Sequence, residues 1–408
     1  RSTLFPYTTL FRSPYRLFEK SYRKIERVPR QFRRYLHNSV DFNNRLIGIK
    51  GARGAGKTTL LLQHIANHLP TDHRTLYVSL DDLYFTENKL VDLASQFARQ
   101  GGRYLLLDEV HRYTGWSQEL KNIYDDEPDL QVLFTGSSII HLNRSTGDLS
   151  RRAVMYELHG LSFREYLRLQ TGESFDAITF EDLLFRHTEI AREIVKKIRP
   201  LEHFSNYLQY GYYPYFLENS DVYSQKLAET ISLALSIDLP ALHDLSTASI
   251  EKMRLLLHII AESVPFKPNI SSLSERVGVT RNSLVQYLHY MEDLRIIRGL
   301  YPSTKGISLL QKPEKIYLCH PNLHYALAST AADKGNIRES FFISQVSAVR
   351  PVTYSGGMDF TVGKYQFEVG GREKKNQQVG RENTFVANDD VEVGQGGKVP
   401  LWMVGMLY

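Results

Sequence analysis

Nine residues constrain this chain more than any others: "GARGAGKTT", Gly51 to Thr59. They fit the pattern GxxxxGK[ST], they follow the apolar run "RLIGIKG", and they open the helix-period stretch "TTLLLQHIANHL". A glycine-rich turn between a strand and a helix start is a phosphate cradle. Glycines let backbone N–H groups turn inward, and the helix N-terminus adds a partial positive charge. Gly51, Ala52, Gly54, Ala55, Gly56, Lys57, Thr58 and Thr59 are therefore candidate nucleotide contacts. Lys57 is expected to reach the β- and γ-phosphates of ATP, and the Thr58 hydroxyl to bind Mg²⁺.

The stretches that follow keep the same alternation. "RTLYVSL", "RYLLLDEV", "QVLFTGSS" and "AVMYEL" read as strands, with helices "KLVDLASQFARQ" and "SQELKNIYDD" between them. Short apolar strands separated by helices predict an α/β fold whose parallel sheet is covered on both faces. "YLLLDE" ends a strand on Asp108 and Glu109, at the carboxyl edge where open α/β sheets bind their ligands. Asp108 is expected to complete the Mg²⁺ shell with Thr58, and Glu109 to polarise the attacking water. "LFTGSS" ends a strand with Thr135, Ser137 and Ser138, of which Ser137 is preferred to touch the γ-phosphate or the water, although serines also end strands as ordinary turn residues.

Bulk composition excludes little. The 408 residues imply two or three domains, and the net charge of +5 is compatible with nucleic acid without demanding it. With one cysteine, Cys319, no internal disulfide can form, which points to a reducing compartment. No apolar run approaches the roughly 18–20 residues of a membrane span, so a cytoplasmic location without membrane contact is expected. The first thirteen residues, "RSTLFPYTTLFRS", resemble the in-frame translation of a sequencing-adapter oligonucleotide and are left out of the fold reading. Without Arg1 and Arg12 the charge falls from +5 to +3. Residues 14–44 are basic and helical in tone, read as a solvated face packed on the next domain in preference to a nucleic-acid contact.

Residues 161–245 show almost no strand signal. "ISSLSERVGVTRNSLVQYLHYMEDLRII" reads as a helix-turn-helix. Ser272 and Glu275 suggest a capping box, Gly278 a break, and Thr280 a second start. Arg281, Asn282 and Gln286 suit a DNA-reading helix, but Glu292 and Asp293 follow, so a protein-contacting role is equally open. Further on, "MDFTVGKYQFEVGG" reads as a hairpin turning at Gly363-Lys364, with Asp359 directly opposite Glu368. Like charges about 5 Å apart repel by roughly 3 kcal/mol at an effective dielectric of about 20. Such a pair needs a metal ion, a nearby lysine or arginine, or a shared proton.

"GARGAGKTTLL", "LLLDEVHRYTGWSQELKNIYDD", "LFTGSSIIHL", "DLSRRAVMYELHGLSFREYL" and "VPLWMVGMLY" together resemble the prokaryotic AAA-type P-loop ATPases that carry a C-terminal restriction-endonuclease-like domain. That resemblance implies an AAA-like P-loop core over 14–160, a helical lid over 161–245, a winged-helix segment over 246–300 and a small α+β nuclease-like domain over 301–408. It also implies an arginine near the γ-phosphate, for which Arg152 aligns better than Arg151. In the nuclease-like fold, Glu339, Asp359 and Glu368 match the three carboxylates in order and would form a second metal site. Gly370 stands where the activating lysine is expected, with Lys374 or Lys375 the nearest substitutes. The expected activity is Mg²⁺-dependent ATP hydrolysis coupled to a module that contacts DNA or a protein, with oligomerisation open. The alternatives are an ATP-gated nuclease and a nucleotide switch that recruits a protein without turnover.

Overall fold

The computed structural model describes residues 14–136, 149, 151–240, 243, 245–263, 265, 267–302, 312–328, 333–354, 356–372 and 383–408. They form two compact units, divided after Leu158.

In the first unit, β1 (Leu46–Lys50), β2 (Thr75–Ser79), β3 (Tyr104–Asp108), β4 (Gln131–Gly136) and β5 (Val154–Glu157) make one parallel sheet in the order β2-β3-β4-β1-β5. The α/β class and the parallel sheet read from the sequence are what the chain adopts. Leu46, Ile47 and Ile49 of β1 and Leu105, Leu106 and Leu107 of β3 are buried, as continuous apolar strands must be when helices cover both faces. The helices are α1 (Pro14–Arg27), α2 (Lys57–His68), α3 (Leu90–Arg99) and α4 (Trp116–Asp126). Their apolar stripes, such as Leu90, Leu93 and Phe97 or Trp116, Leu120 and Ile123, close the core. β4 lies between β1 and β3, so the end of β4 stands between the phosphate loop and Asp108.

The basic N-terminal stretch is part of this unit. Leu17, Ser21 and Ile25 repeat every fourth residue on α1 and are buried. Ser21 Oγ accepts from the backbone N–H of Tyr77, 3.1 Å away, so α1 satisfies part of the free edge of β2. Lys20 pairs with Asp82, and Lys24 sits over the Tyr77 ring at 4.9 Å.

The second unit opens on helices α5 (Phe163–Thr171), α6 (Phe180–Phe185), α7 (His187–Val195), α8 (Pro200–Tyr210) and α9 (Tyr223–Leu233). Ser162 and Glu165 cap α5 reciprocally, and Thr179 and Asp182 do the same for α6. Next come α10 (Thr247–Ser263), α11 (Ile270–Val277) and α12 (Arg281–Asp293), then the antiparallel pair β6 (Ile297–Leu300) and β7 (Lys315–Leu318). The expected Ser272 capping box is not used. Asn269 caps α11 by accepting from the Ser272 N–H at 3.2 Å, because its side chain meets the free N–H groups of the first turn three residues earlier. Gly278 (φ +68°) ends α11 and Thr280 caps α12.

The last part holds α13 (Asn322–Leu327), α14 (Lys334–Val346) and a four-stranded sheet in the order β11-β10-β9-β8, built from β8 (Phe360–Val362), β9 (Tyr365–Gly370), β10 (Thr384–Asn388) and β11 (Lys398–Pro400). This part and the leading helices share one core. Phe163, Phe204, Tyr207, Phe341 and Trp402 pack ring to ring. Buried Asn322 donates to the carbonyls of Tyr207 and Leu208 and accepts from Tyr212 N–H and Tyr223 O–H. That network is what organises the tyrosine-rich "YGYYPYF" turn.

Candidate nucleotide site

The phosphate loop follows β1, and its backbone needs glycine for two separate reasons. Gly56, the cap of α2, has φ +98°, a region that costs other L-residues energy. A Cβ on Gly51 would run into the Leu158 carbonyl oxygen. Lys57, the first residue of α2, is buried, and its ammonium donates to the carbonyls of Gly51 and Ala52, each at 2.9 Å. The positive charge thus sits over the loop that holds the N–H groups at the head of α2. From the N-terminal stretch, buried Arg34 donates through Nη1 to the Ala55 carbonyl and clamps the loop from outside.

At the carboxyl edge of β3, Asp108 is 2% exposed and yet well supplied with donors. Its Oδ2 accepts from Thr58 Oγ1 at 2.6 Å and from the Tyr77 hydroxyl at 2.8 Å. Its Oδ1 accepts from Thr135 Oγ1 and from the Glu109 N–H at 3.2 Å. Burial first, and then the charge of Asp108, push the Tyr77 phenol far above its ordinary value, so it stays a donor throughout the accessible pH range. Thr58 and Asp108, 50 residues apart in sequence, are therefore in direct contact. A hydroxyl and a carboxylate side by side at the head of a loop are hard oxygen donors of the kind Mg²⁺ takes, and the residues present fit that ion.

Glu109 has φ +52° and ψ +41°, in the left-handed region. A side chain that is not glycine, asparagine or aspartate seldom sits there without function. The backbone turn lifts the Glu109 carboxylate off the strand line and leaves it 28% exposed, with Oε2 3.4 Å from Nε2 of buried His111. Arg152 makes a two-pronged pair with Asp125 of α4, with both N–O distances 2.9 Å. Ser137 lies outside the described residues, as do Lys374 and Lys375. Sequence reasoning missed Arg34 and Tyr77 as parts of this site and ranked Thr135 below Ser137. Thr135 stood two residues before the serine that was singled out, on the same strand end. Arg34 and Tyr77 carried no local signal.

The C-terminal carboxylates are arranged differently from the metal site expected of them. The hairpin register pairs Phe360 with Phe367 and Val362 with Tyr365, which sets Asp359 against Glu368. Among the described residues, however, no three His, Cys, Asp or Glu side chains are positioned to hold a metal ion, and this includes Glu339, Asp359 and Glu368. A lysine from another element occupies the neighbourhood. Lys315 Nζ, on β7, lies 3.9 Å from Glu339 Oε2 and 3.6 Å from Asp359 Oδ1. Tyr317 O–H donates to Glu339 at 2.9 Å, and Val369 N–H donates to Asp359 at 3.0 Å.

On α12, Arg281, Asn282 and Gln286 are exposed. Glu292, counted against DNA contact from sequence, is turned inward and accepts from Gly299 N–H at 2.6 Å and Tyr301 O–H at 2.8 Å. Its carboxylate ties α12 to β6. Among the described residues, no helix is long and apolar enough to cross a membrane.

Residues 43–167 match a family described as an AAA domain, and residues 201–334 match a domain of unknown function (DUF8612). An uncharacterized protein of Methanocaldococcus jannaschii is 27% identical over 297 residues, which are 69% of this chain and 62% of that protein. The chain thus spans less than two thirds of that relative's length. Among solved structures, the Walker-type ATPase PABY2304 of Pyrococcus abyssi aligns at 14% identity with a TM-score of 0.38, over 78% of this chain and 97% of that one. AMPPCP-bound DnaA from Aquifex aeolicus aligns at 15% identity with a TM-score of 0.24, over 69% and 93%. Likenesses this weak say nothing about the activity of this chain.

Proposed function

We propose that the N-terminal unit, whose residues 43–167 match an AAA-domain family, binds ATP with Mg²⁺ and hydrolyses it, and that the C-terminal unit converts the nucleotide state into contact with DNA or a protein. The observation that carries the reading is the 2.6 Å contact between Thr58 and Asp108 at the mouth of the loop. When bound there, Mg²⁺ supplies charge that draws electron density from the phosphate oxygens. Thr58 and Asp108 hold it, and Tyr77 and Thr135 fix the Asp108 carboxylate by donating to it. The loop N–H groups and Lys57 bind the phosphates. Glu109 takes the proton of the attacking water, for which its raised backbone and partial exposure suit it. Arg152 remains the candidate for an additional cation on the γ-phosphate, and to act so it must leave Asp125.

In the C-terminal unit, the exposed Arg281, Asn282 and Gln286 favour α12 as the contacting element. The inward-turned Glu292 removes one objection to DNA. The carboxylates around Asp359 add no support for cleavage, since among the described residues they do not come together as a three-ligand metal group.

The test is steady-state phosphate release by a chain starting at Pro14, with Mg²⁺, with and without DNA, beside Glu109→Gln. Turnover that Glu109→Gln abolishes supports the ATPase. Stimulation by DNA supports the coupled reading. Tight ATP binding with no turnover under either condition refutes hydrolysis and leaves a nucleotide switch.

A further inference from the structure

At the end of the sheet opposite the phosphate loop, a cavity of about 740 Å³ opens among the starts of β1, β3 and β4 and the last turn of α2. Lys57 and His68 begin and end the same helix of 12 residues, so the two sites are roughly 16 Å apart along it. The cavity is cationic. Arg33, Arg45 and Arg103 line it against one carboxylate, Asp129, which pairs with Arg103 at 3.3 Å.

Three histidines also face it: His37, His64 and His68. His64 is 3% exposed and, among the described residues, neither of its ring nitrogens has a hydrogen-bond partner; His37 is 9% exposed and its Nε2 has none there. Buried imidazole nitrogens left in that state cost about 1–3 kcal/mol each. A fold that keeps them aimed into a cavity is suited to a ligand that satisfies them. Phe42 stacks on His64 with ring centroids 3.7 Å apart and fixes its plane. Arg33 Nη1 lies 3.4 Å from His68 Nε2, which brings an exposed guanidinium to the rim. Burial holds His64 and His37 at about 3 and about 4, helped by the charge of Arg33 on His37 and by the neighbouring histidines. At neutral pH both rings are therefore uncharged, each with one donor and one acceptor nitrogen.

We propose that this cavity is a second anion site, built for a phosphate group carried either as the free ion or on a small ester. A phosphate presents tetrahedrally spread oxygens, which can accept from Arg33, His37, His64 and His68 from different directions. Its protonated oxygen can in turn donate to a ring nitrogen. A carboxylate offers two coplanar acceptors and no donor. The volume exceeds what one phosphate fills and is in the range of small-molecule pockets. An anion placed there offsets the burial that holds both rings neutral, together with the repulsion of His37 by Arg33 and His68 and of His64 by His68 and His37, so binding takes up protons and tightens as pH falls. The remaining charged neighbours are Arg45 and Arg103 with Asp129. The inference does not depend on ATP hydrolysis by the phosphate loop.

The test uses imidazole-detected ¹H–¹⁵N spectra of the full chain, titrated with inorganic phosphate or with AMP at constant ionic strength, with chloride as the control. His111, beside Glu109, reports the phosphate loop separately. Expected is a joint, saturable shift of the His37, His64 and His68 signals that is tighter at lower pH. Arg33→Ala, a change at an exposed side chain, should weaken it about tenfold, as loss of a charge-assisted hydrogen bond does. Tighter binding of AMP than of phosphate assigns the site to an ester, and the reverse assigns it to the free ion. No shift beyond that caused by chloride, or one that Arg33→Ala leaves unchanged, overturns the proposal.

Discussion

Glu109 makes a prediction in which stability and turnover separate. Its φ of +52° and ψ of +41° put an L-residue in the left-handed region, a conformation that costs roughly 1–2 kcal/mol. Glycine adopts it freely but loses about 0.5–1 kcal/mol more backbone entropy on folding. The Glu109 side chain is partly exposed, and its Oε2 approaches His111 Nε2 to 3.4 Å. Glu109→Gly should therefore raise stability by up to about 1 kcal/mol, an upward shift of about 2–4 °C in the melting of a domain this size. Glu109→Gln keeps the strain and loses only the negative charge, so its melting should stay near that of the parent. Both variants should lose turnover by about 10²–10⁴-fold, the usual effect of removing a general base. Calorimetry of the N-terminal transition and phosphate release measure the two quantities. If Glu109→Gly melts below Glu109→Gln, the backbone is not strained for function, and if either hydrolyses ATP at the parent rate, the carboxylate is not the base.

Three further outcomes follow from the geometry. Tyr77→Phe removes one of the hydrogen bonds to the Asp108 carboxylate at a cost of about 1.5 kcal/mol, and the Mg²⁺ needed for half-maximal turnover should rise several-fold; a Mg²⁺ titration identical to the parent refutes the positioning role. Lys315→Met removes a largely buried ammonium from beside Glu339 and Asp359 and should cost about 2–3 kcal/mol in urea unfolding, most of it recovered by Lys315→Arg; equal stability of all three chains refutes the pairing. His37 and His64 bind protons in the unfolded chain below its ordinary value of 6.5 but in the folded one only near about 4 and about 3. Their contribution is thus present above pH 6.5 and is lost as pH falls, by about 3–4 kcal/mol between pH 7 and pH 5. Urea midpoints across that range check it, and added phosphate should flatten the slope.

The sheet was legible because its signals are local. β1, β3 and β4 are unbroken apolar runs, the loop between β1 and α2 carries its own motif, and Asp108 ends a strand in plain sight. The order of the strands was not legible, because nothing in "QVLFTGSS" says that it inserts between β1 and β3. The parts of the site that sequence reasoning missed are contacts across long separations. Arg34 reaches Ala55 over 21 residues and Tyr77 reaches Asp108 over 31, each from a segment with a sufficient local explanation of its own. Arg34 belongs to a basic run that reads as a solvated face, and Tyr77 to an ordinary apolar strand.

The hairpin shows what electrostatics can reach where pattern cannot. Asp359 facing Glu368 called for a metal ion, a nearby cation or a shared proton, and the nearest lysines considered in sequence were those beyond Gly370. The compensation comes instead from Lys315, 44 residues before Asp359, on a strand paired with β6. Lys315 also meets Glu339 at 3.9 Å, so one ammonium is shared by two carboxylates and offsets part of their charge. A metal entering there has to displace a lysine whose own side chain is 18% exposed, and that lysine then needs a new partner or water. Through Lys315, Glu339 on α14 and Asp359 at the foot of the hairpin are joined to β7.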